Sequence, residues 1–396
     1  MRRGSWGAIF LFLVLLAPIV VADSHEFVSR VSLRDVGVLA EGDLGIRSGA
    51  VSPDGKDVLV AGMDGFARLI SAEQADDRNK DVELVTGRSS TVLDVAWHPR
   101  GNTALLVGED GMAMRYERST HGITNVNGSF TVLGHKLTKV VWRPSGDFAY
   151  VGAADGTVWK FAEHTGFEPL DNTGNSPVTD LACHRNPQYN ICFIASMDDG
   201  IAIVDKDHVV TWLPKTASHT WIGLDCADPT LNECFGFASG LKSGAIRINT
   251  IDARQSFAMS VSQFSLPSGE QIGIAKGHDS STLVATAPLG MLRHEPLSNE
   301  TFTVLMPEDA AEFDAVVAGR TLAMVWENGF HRGFFITNYG NVIAFEPAVV
   351  EVDTNIMTVL ILGAVAVSVP GVLLGLTYMN SPWLQKKYNQ WRFKKR

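Results

Sequence analysis

The sequence predicts an all-β body made of seven copies of one small antiparallel unit, followed by a single apolar helix. Three observations predict this. An apolar strand, a Pro/Gly turn, a second apolar strand, an Asp-Gly-type turn and a third strand recur through most of the chain. Hydrophobic residues make up 45% of the 396 and charged residues 19%, a balance that buries a core and excludes a disordered chain. Residues Met357–Met379 contain no charge at all. The net charge of −10 argues against a nucleic-acid binder. A length of about 150 residues per domain would suggest two or three domains, but repeat architectures exceed that size.

The two ends are removed before the fold is read. Residues 1–22 have the form of a secretory signal: Arg2 and Arg3, an apolar run from Ala8 to Val21, and small residues up to Ala22. The competing reading is an uncleaved anchor, and the polar Asp23-Ser-His-Glu26 that follows favours cleavage. The 23 residues 357–379, at about 1.5 Å each, are long enough to span a bilayer core. Pro370 is tolerable in such a span. Residues 380–396 carry Lys386, Lys387, Arg392, Lys394, Lys395 and Arg396 and no acid, the positive-inside pattern. The expected topology is a single pass with an extracytoplasmic N-terminus, a stalk at 347–356 and a basic cytoplasmic tail. The signal holds two of the 33 basic residues and the tail six, which leaves 25 against 43 acids outside, a net −18. That excess acid serves solubility more readily than it marks a basic partner.

The clearest repeat is Leu133–Phe161. It runs through a strand to Trp142, a Pro144-Ser-Gly146 turn, a second strand, an Asp155-Gly156 turn and Thr157-Val-Trp-Lys-Phe161. The pattern is that of a small antiparallel meander. It recurs as Ala50-Val-Ser-Pro-Asp-Gly55 with Met63-Asp-Gly65, and as Ala96-Trp-His-Pro-Arg-Gly101 with Glu109-Asp-Gly111. The first strands close at Val51, Trp97, Trp142, Cys183, Cys226, Lys276 and Trp326. The second turns end at glycines 65, 111, 156, 200, 244, 290 and 340. The two columns lie 14 apart in five repeats and 17 and 18 apart in the fourth and fifth, so longer first hairpins are expected there.

Leu133–Phe161, with its Gly134-His135 pair and Asp155-Gly156 turn, resembles a WD40 repeat. The resemblance covers about residues 36–346. It is strong in the second and third repeats and weak in the last three. No repeat ends in Trp-Asp, and Phe161-Ala162 and Tyr116-Glu117 stand there instead. The resemblance implies an all-β, seven-bladed β-propeller over residues 23–346, WD40-like, with four antiparallel strands per blade around a central channel. Blades bury their faces on one another, so the ring must close. Val36-Gly-Val-Leu-Ala40 is the favoured outer strand for the last blade, and Ala348-Val-Val-Glu-Val352 is the alternative.

Cys183 and Cys192 flank the first hairpin of the fourth repeat, and Cys226 and Cys234 that of the fifth. Four cysteines allow three pairings. The register selects Cys183–Cys192 and Cys226–Cys234, in keeping with an oxidising compartment. Zinc ligation or free thiols are the competing readings, and zinc would require the two hairpins to converge. Asn127-Gly-Ser129 and Asn299-Glu-Thr301 match the glycosylation acceptor pattern.

No His-Glu-x-x-His, Gly-x-Ser-x-Gly, P-loop or Gly-x-Gly-x-x-Gly motif is present. Asp198-Asp199 belong to the turn column and, with Asp205 and Asp207, lack calcium-loop spacing. His98, His135 and His184 read as turn-capping or solvent-facing groups. Propeller enzymes assemble sites across blades, so these absences weigh little. The expected recognition face is the one where the inner strands begin. Residues three to six before the strand-closing column nominate Arg47, Asp94, Lys139, Asp180, Trp221, Glu270 and Arg320 as partner-binding loop groups. Trp221 is the sharpest of them as an aromatic anchor, although it shares a column with the apolar Leu137 and Val178. The resulting expectation is a membrane-anchored, extracytoplasmic, non-enzymatic scaffold for another envelope or lumenal protein. It requires no cofactor, metal or nucleic acid. Its rivals are glycan or small-ligand binding in the channel, and a hydrolase or lyase with a composite site.

Overall fold

The structure, a computed structural model, describes residues 29–258, 262–263, 269–298, 300–317, 322–348 and 356–394. The signal segment, Arg320, Asn299 and residues 349–355 of the stalk lie outside the described residues. The chain forms two compact units, Met1–Ala348 and Val349–Arg396.

The first unit is a seven-bladed β-propeller. Seven antiparallel sheets are each ordered from an inner to an outer strand. The inner strands are Ile46–Val51, Val92–Trp97, Leu137–Trp142, Val178–Cys183, Trp221–Asp225, Glu270–Lys276 and Leu322–Gly329, for blades one to seven. Second strands such as Ala149–Ala153, Cys192–Ser196 and Glu233–Ala238 are buried at every residue. That is why they read as continuous apolar runs: a blade packed on both faces has no solvent side. Neighbouring blades share cores, as where Phe193 and Ile201 of blade four meet Trp221 and Cys234 of blade five.

The ring closes through the N-terminus. The outer strand of blade seven is Val31–Val38, paired antiparallel with Asn341–Pro347 from Val31 opposite Pro347 to Val38 opposite Asn341. The closing strand starts five residues before the expected Val36. The earlier start lets Val31 enter the core with Phe345 and Leu289. It also reaches blade six, where Arg30 N–H donates to Val304 O at 2.8 Å and Met306 N–H to Ser29 Oγ at 2.8 Å. Of the alternative segment, Ala348 is described; its N–H donates to Arg30 O at 2.9 Å, and it lies beyond the strand that ends at Pro347.

Every inner strand carries a bulge at the same place. The pairing register shifts across Arg47, Leu93, Thr138, Thr179, Ile222, Ile272 and Ala323 in blades one to seven. A bulge bends the strand and re-aims the side chains that follow.

The fifth repeat corrects the expected spacing. Its second turn is Ser239–Leu241, with Gly240 at φ +74° and Leu241 at φ +54°. Gly244 lies inside the third strand, Lys242–Arg247, opposite Gly236. Gly240 follows Cys226 by 14, so the spacing of 18 does not hold, but the first hairpins of blades four and five are still the longer ones: their strands break from Cys183 to Cys192 and from Asp225 to Glu233, against Val51 to Asp57 and Trp97 to Thr103 in blades one and two. Both expected disulfides are formed, Cys183–Cys192 and Cys226–Cys234, with Cα separations of 3.9 and 4.4 Å. The first pair sits directly opposite across its hairpin.

The second unit holds helix α1, Ile356–Asn380, and helix α2, Pro382–Phe393. Helix α1 has no charged residue over its 25 positions. Ser381 caps α2 by accepting from Leu384 N–H, and Pro382 fits the first turn. The basic tail is therefore largely helical. Among the described residues no single helix is long and apolar enough to cross a membrane. Ala364–Asn380 and Pro382–Phe393 meet that test only together, bent by 98°.

Removing Ser29–Val38 should expose the edge at Asn341–Pro347 and uncover the Val31 pocket. The expected result is a lower melting temperature and concentration-dependent aggregation, read by calorimetry and light scattering. An unchanged melt would contradict closure by this strand.

Candidate functional site at the mouth of the central channel

The bulges sort the nominated residues. The position just before each bulge is Ile46, Val92, Leu137, Val178, Trp221, Gln271 and Leu322, and all seven are buried. Trp221 therefore belongs to the core and not to the channel mouth. It is 0% exposed, and its indole N–H donates to Thr216 O at 2.8 Å. The nomination of Trp221 as an anchor is corrected: the bulge follows it, so its ring stays on the inter-blade side.

The position just after each bulge is Ser48, Asp94, Lys139, Asp180, Gly223, Gly273 and Met324. Asp94, Lys139 and Asp180 thus sit within strands and not in connecting loops, which is a second correction. Asp94 bridges three blades. Its Oδ1 accepts from Ser48 Oγ at 2.7 Å, and its Oδ2 accepts from Val140 N–H at 2.8 Å. Asp180 accepts from its neighbour Leu181 N–H at 2.9 Å and, across the blade boundary, from Leu224 N–H at 2.7 Å. Lys139 Nζ lies 4.0 Å from Asp94 Oδ1. The attraction of Asp94, aided by Asp180, holds the Lys139 ammonium above its ordinary pKa against the effect of burial. Burial pushes Asp180 up to about 6, opposed by Lys139 and the two backbone N–H groups. Arg47 and Glu270 are exposed at the same end of their strands.

A cavity of about 390 Å³ opens beside this cluster. It is lined by the polar Arg47, Ser48, Lys139, Thr179 and Asp180 and by the apolar Ile222, Ile274, Leu322, Met324 and Val325. Gln271 also lines it. Its amide N–H₂ donates to Ala238 O at 3.1 Å and Lys242 O at 3.3 Å, while its buried Oε1 has no partner. Sequence reasoning missed Gln271. The signal was there, because it is the one polar residue in an otherwise apolar pre-bulge column.

A pKa near 6 would suit Asp180 for proton transfer near neutrality. Its two oxygens, however, are already held by backbone N–H groups, as both Asp94 oxygens are held by partners. Elsewhere the histidines act as latches. His98 and His184 each accept at Nδ1 from the N–H two residues on, at 3.1 Å. That fixes Nε2 as the donor, to Gly146 O at 3.0 Å and Leu231 O at 2.7 Å in the next blade. Asp199 Oδ2 accepts from Asn175 and Ser176 N–H at 2.8 Å, so the acidic pair is turn structure. Among the described residues no group of three or more His, Cys, Asp or Glu is placed to hold a metal ion.

The class defined by this geometry is a seven-bladed β-propeller with a polar clasp at one end of its channel. No family model and no curated protein matches the sequence. Solved structures match the fold. One is a catalytically inactive virginiamycin B lyase from Staphylococcus aureus with quinupristin, at TM-score 0.62 and 10% identity, covering 81% of this chain and all of that one. Another is the Cps50 (Swd1) β-propeller domain of Myceliophteria thermophila, at TM-score 0.61 and 8% identity, covering 80% of this chain and all of that one. At such identities the likeness is one of fold alone.

The Asp180 carboxyl should titrate with a midpoint near 6 when followed by carbon NMR, and Lys139→Gln should move it higher. Because the folded pKa lies above the unfolded one of about 4, its contribution to stability is full at low pH and is lost as pH rises through 6. Asp180→Asn should therefore gain in melting temperature relative to wild type between pH 4 and pH 7. A midpoint near 4 would contradict the burial argument.

Proposed function

We propose that this chain is an exported, membrane-anchored propeller of WD40-like build that works without catalysis as a docking scaffold for another envelope or lumenal protein. One observation carries the non-catalytic reading: the acids nearest the channel mouth are occupied in holding blades together. All four oxygens of Asp94 and Asp180 accept a hydrogen bond that fixes their orientation. The surface around the mouth supports docking. Met63 and Met197, in turns between second and third strands, are each 40% exposed. Phe130 and Leu133, in the connection from blade two to blade three, are 75% and 64% exposed. The antiparallel order puts all four at the end where the inner strands begin, and Met63 Sδ lies 3.9 Å from Arg47 Nη2. Large exposed aromatic and aliphatic side chains are anchors for protein contacts.

The anchor reading rests on the absence of charge over Ile356–Asn380 and on the basic helix that follows it, which reach the length and apolarity of a span only as a bent pair. The two disulfides favour an oxidising compartment. Among the described residues no aromatic ring lines the channel cavity, so a sugar would find no stacking platform inside it.

The test is in-cell photo-crosslinking from a probe placed at Met197 in the full-length protein. A single recurrent membrane or envelope partner is expected, and Phe130→Asp with Leu133→Asp should reduce its capture about tenfold, the scale of an anchor residue. No enriched protein, or capture indifferent to both changes, would contradict the docking reading. Removing residues 356–396 should release the propeller from the membrane fraction, and retention would contradict the anchor.

A further inference from the structure

We propose that Asn127 is a site of N-linked glycosylation, and that the chain carries a glycan where blade two hands over to blade three. The inference goes beyond docking and rests on the exported reading, since the acceptor pattern is used in secreted chains. The chemistry needs an accessible asparagine amide with a hydroxyl two residues on, and Asn127-Gly-Ser129 supplies both. The segment lies just past the fourth strand of blade two, Gly122–Asn125. Ser129 N–H donates to Val126 O at 3.4 Å, and Gly128 sits at φ +72°, ψ 12°. Val126–Ser129 is therefore a tight turn with glycine in the third place, where a type II turn requires it. Val126 is buried, and Asn127, next along the turn, is exposed.

The turn is held against blade three in a way that leaves the amide usable. Gly128 packs on Gly166, where an added Cβ would lie 3.0 Å from the Gly166 Cα. Asn127 Nδ2 donates to His164 O at 3.3 Å, which takes one of the two amide hydrogens. In the transfer, Nδ2 forms a bond to the anomeric carbon of a glycan carried on a lipid phosphate. The anomeric C–O bond breaks, its electron pair leaves with the phosphate, and the other amide hydrogen leaves as a proton. The product keeps one N–H, so the contact with His164 O can persist while the sugar takes the solvent side. Among the described residues the Ser129 hydroxyl has no hydrogen-bond partner, so nothing in the fold competes for it. Asn125 is the contrast within the same stretch. The residue two places on is Asn127 and not a hydroxyl, and Asn125 Oδ1 accepts from Arg88 Nη2 at 3.1 Å. A glycan is bulky and solubilising, and this one stands at the border of the apolar patch that begins at Phe130.

The experiment is peptide mass spectrometry on the full-length protein purified from the membranes of its own cells. Trypsin releases Ser119–Lys136, which holds both Asn125 and Asn127. Most copies should carry the added mass of a glycan, and fragment ions should place it on Asn127. Asn127→Gln and Ser129→Ala should each abolish the modification. Ser129→Thr, which keeps the hydroxyl, should retain it, and that rescue separates loss of the acceptor from loss of the fold. A peptide that is mainly bare, a glycan on Asn125, or a glycan that persists in Asn127→Gln would overturn the proposal. The N-terminal peptide of the same sample reads export separately. A chain that begins at Asp23 with a bare Asn127 has been exported without the glycan, so the docking and anchor readings outlive that failure. A bare chain that still carries residues 1–22 counts against both.

Discussion

A ring of seven sheets has to hold its inner strands together where they come closest, and in this protein that task falls to the bulge. By shifting each inner strand by one residue, the bulge turns the next side chain toward the neighbouring blade. Asp94 and Asp180 use that position to accept the N–H of Val140 and Leu224, and Thr138 Oγ1 reaches Val178 O at 2.7 Å. Lys139 sits between the two acids, so a polar line runs from Ser48 in blade one to Leu224 in blade five. An inner-strand N–H without a partner would cost as much as a lost hydrogen bond, and the carboxylates remove that cost.

Blades six and seven lack such acids, since Gly273 and Met324 fill the corresponding positions. Their clasp lies at the other end of the strands. Arg293, from the third strand of blade six, and Glu327, from the inner strand of blade seven, form an ion pair with both side chains 0% exposed. Asp279 joins Arg293 at 2.6 Å, while Glu327 also accepts from His278 N–H at 2.6 Å and His331 N–H at 2.8 Å. A buried pair is stable only when its remaining donors and acceptors are met, and these backbone bonds meet most of them. Carboxylates link blades one to five at the mouth and an ion pair links blades six and seven at the opposite end, where His98 and His184 also latch neighbouring blades, while Gln271 ties blade six to blade five at the mouth. The Val31–Val38 strand then completes the circle.

Most of the architecture was legible because it rests on local chemistry. The Pro-Ser-Gly and Asp-Gly turns, and the apolar runs between them, follow from backbone geometry and two-sided burial. The cysteine pairing followed from hairpin register. What stayed hidden depends on strand geometry. A bulge has no sequence mark here, so Asp94, Lys139 and Asp180 read as loop residues and Trp221 as an exposed anchor. Gly244 misled for a related reason: a glycine in a buried strand and a glycine in a turn look alike, and Gly240 with Leu241 took the turn. Gln271 was visible as a polar residue in an apolar column, but only once the bulge had fixed the column.

The central claim is that the mouth carboxylates hold the blades together. Hydrogen exchange at the Val140 and Leu224 amides tests it most directly. Both should be strongly protected in the wild-type protein. Asp94→Ala should release Val140 alone, and Asp180→Ala should release Leu224 alone. Fast exchange in the wild type, or protection that survives both substitutions, would contradict the account and return the two acids to the pool of groups available for chemistry.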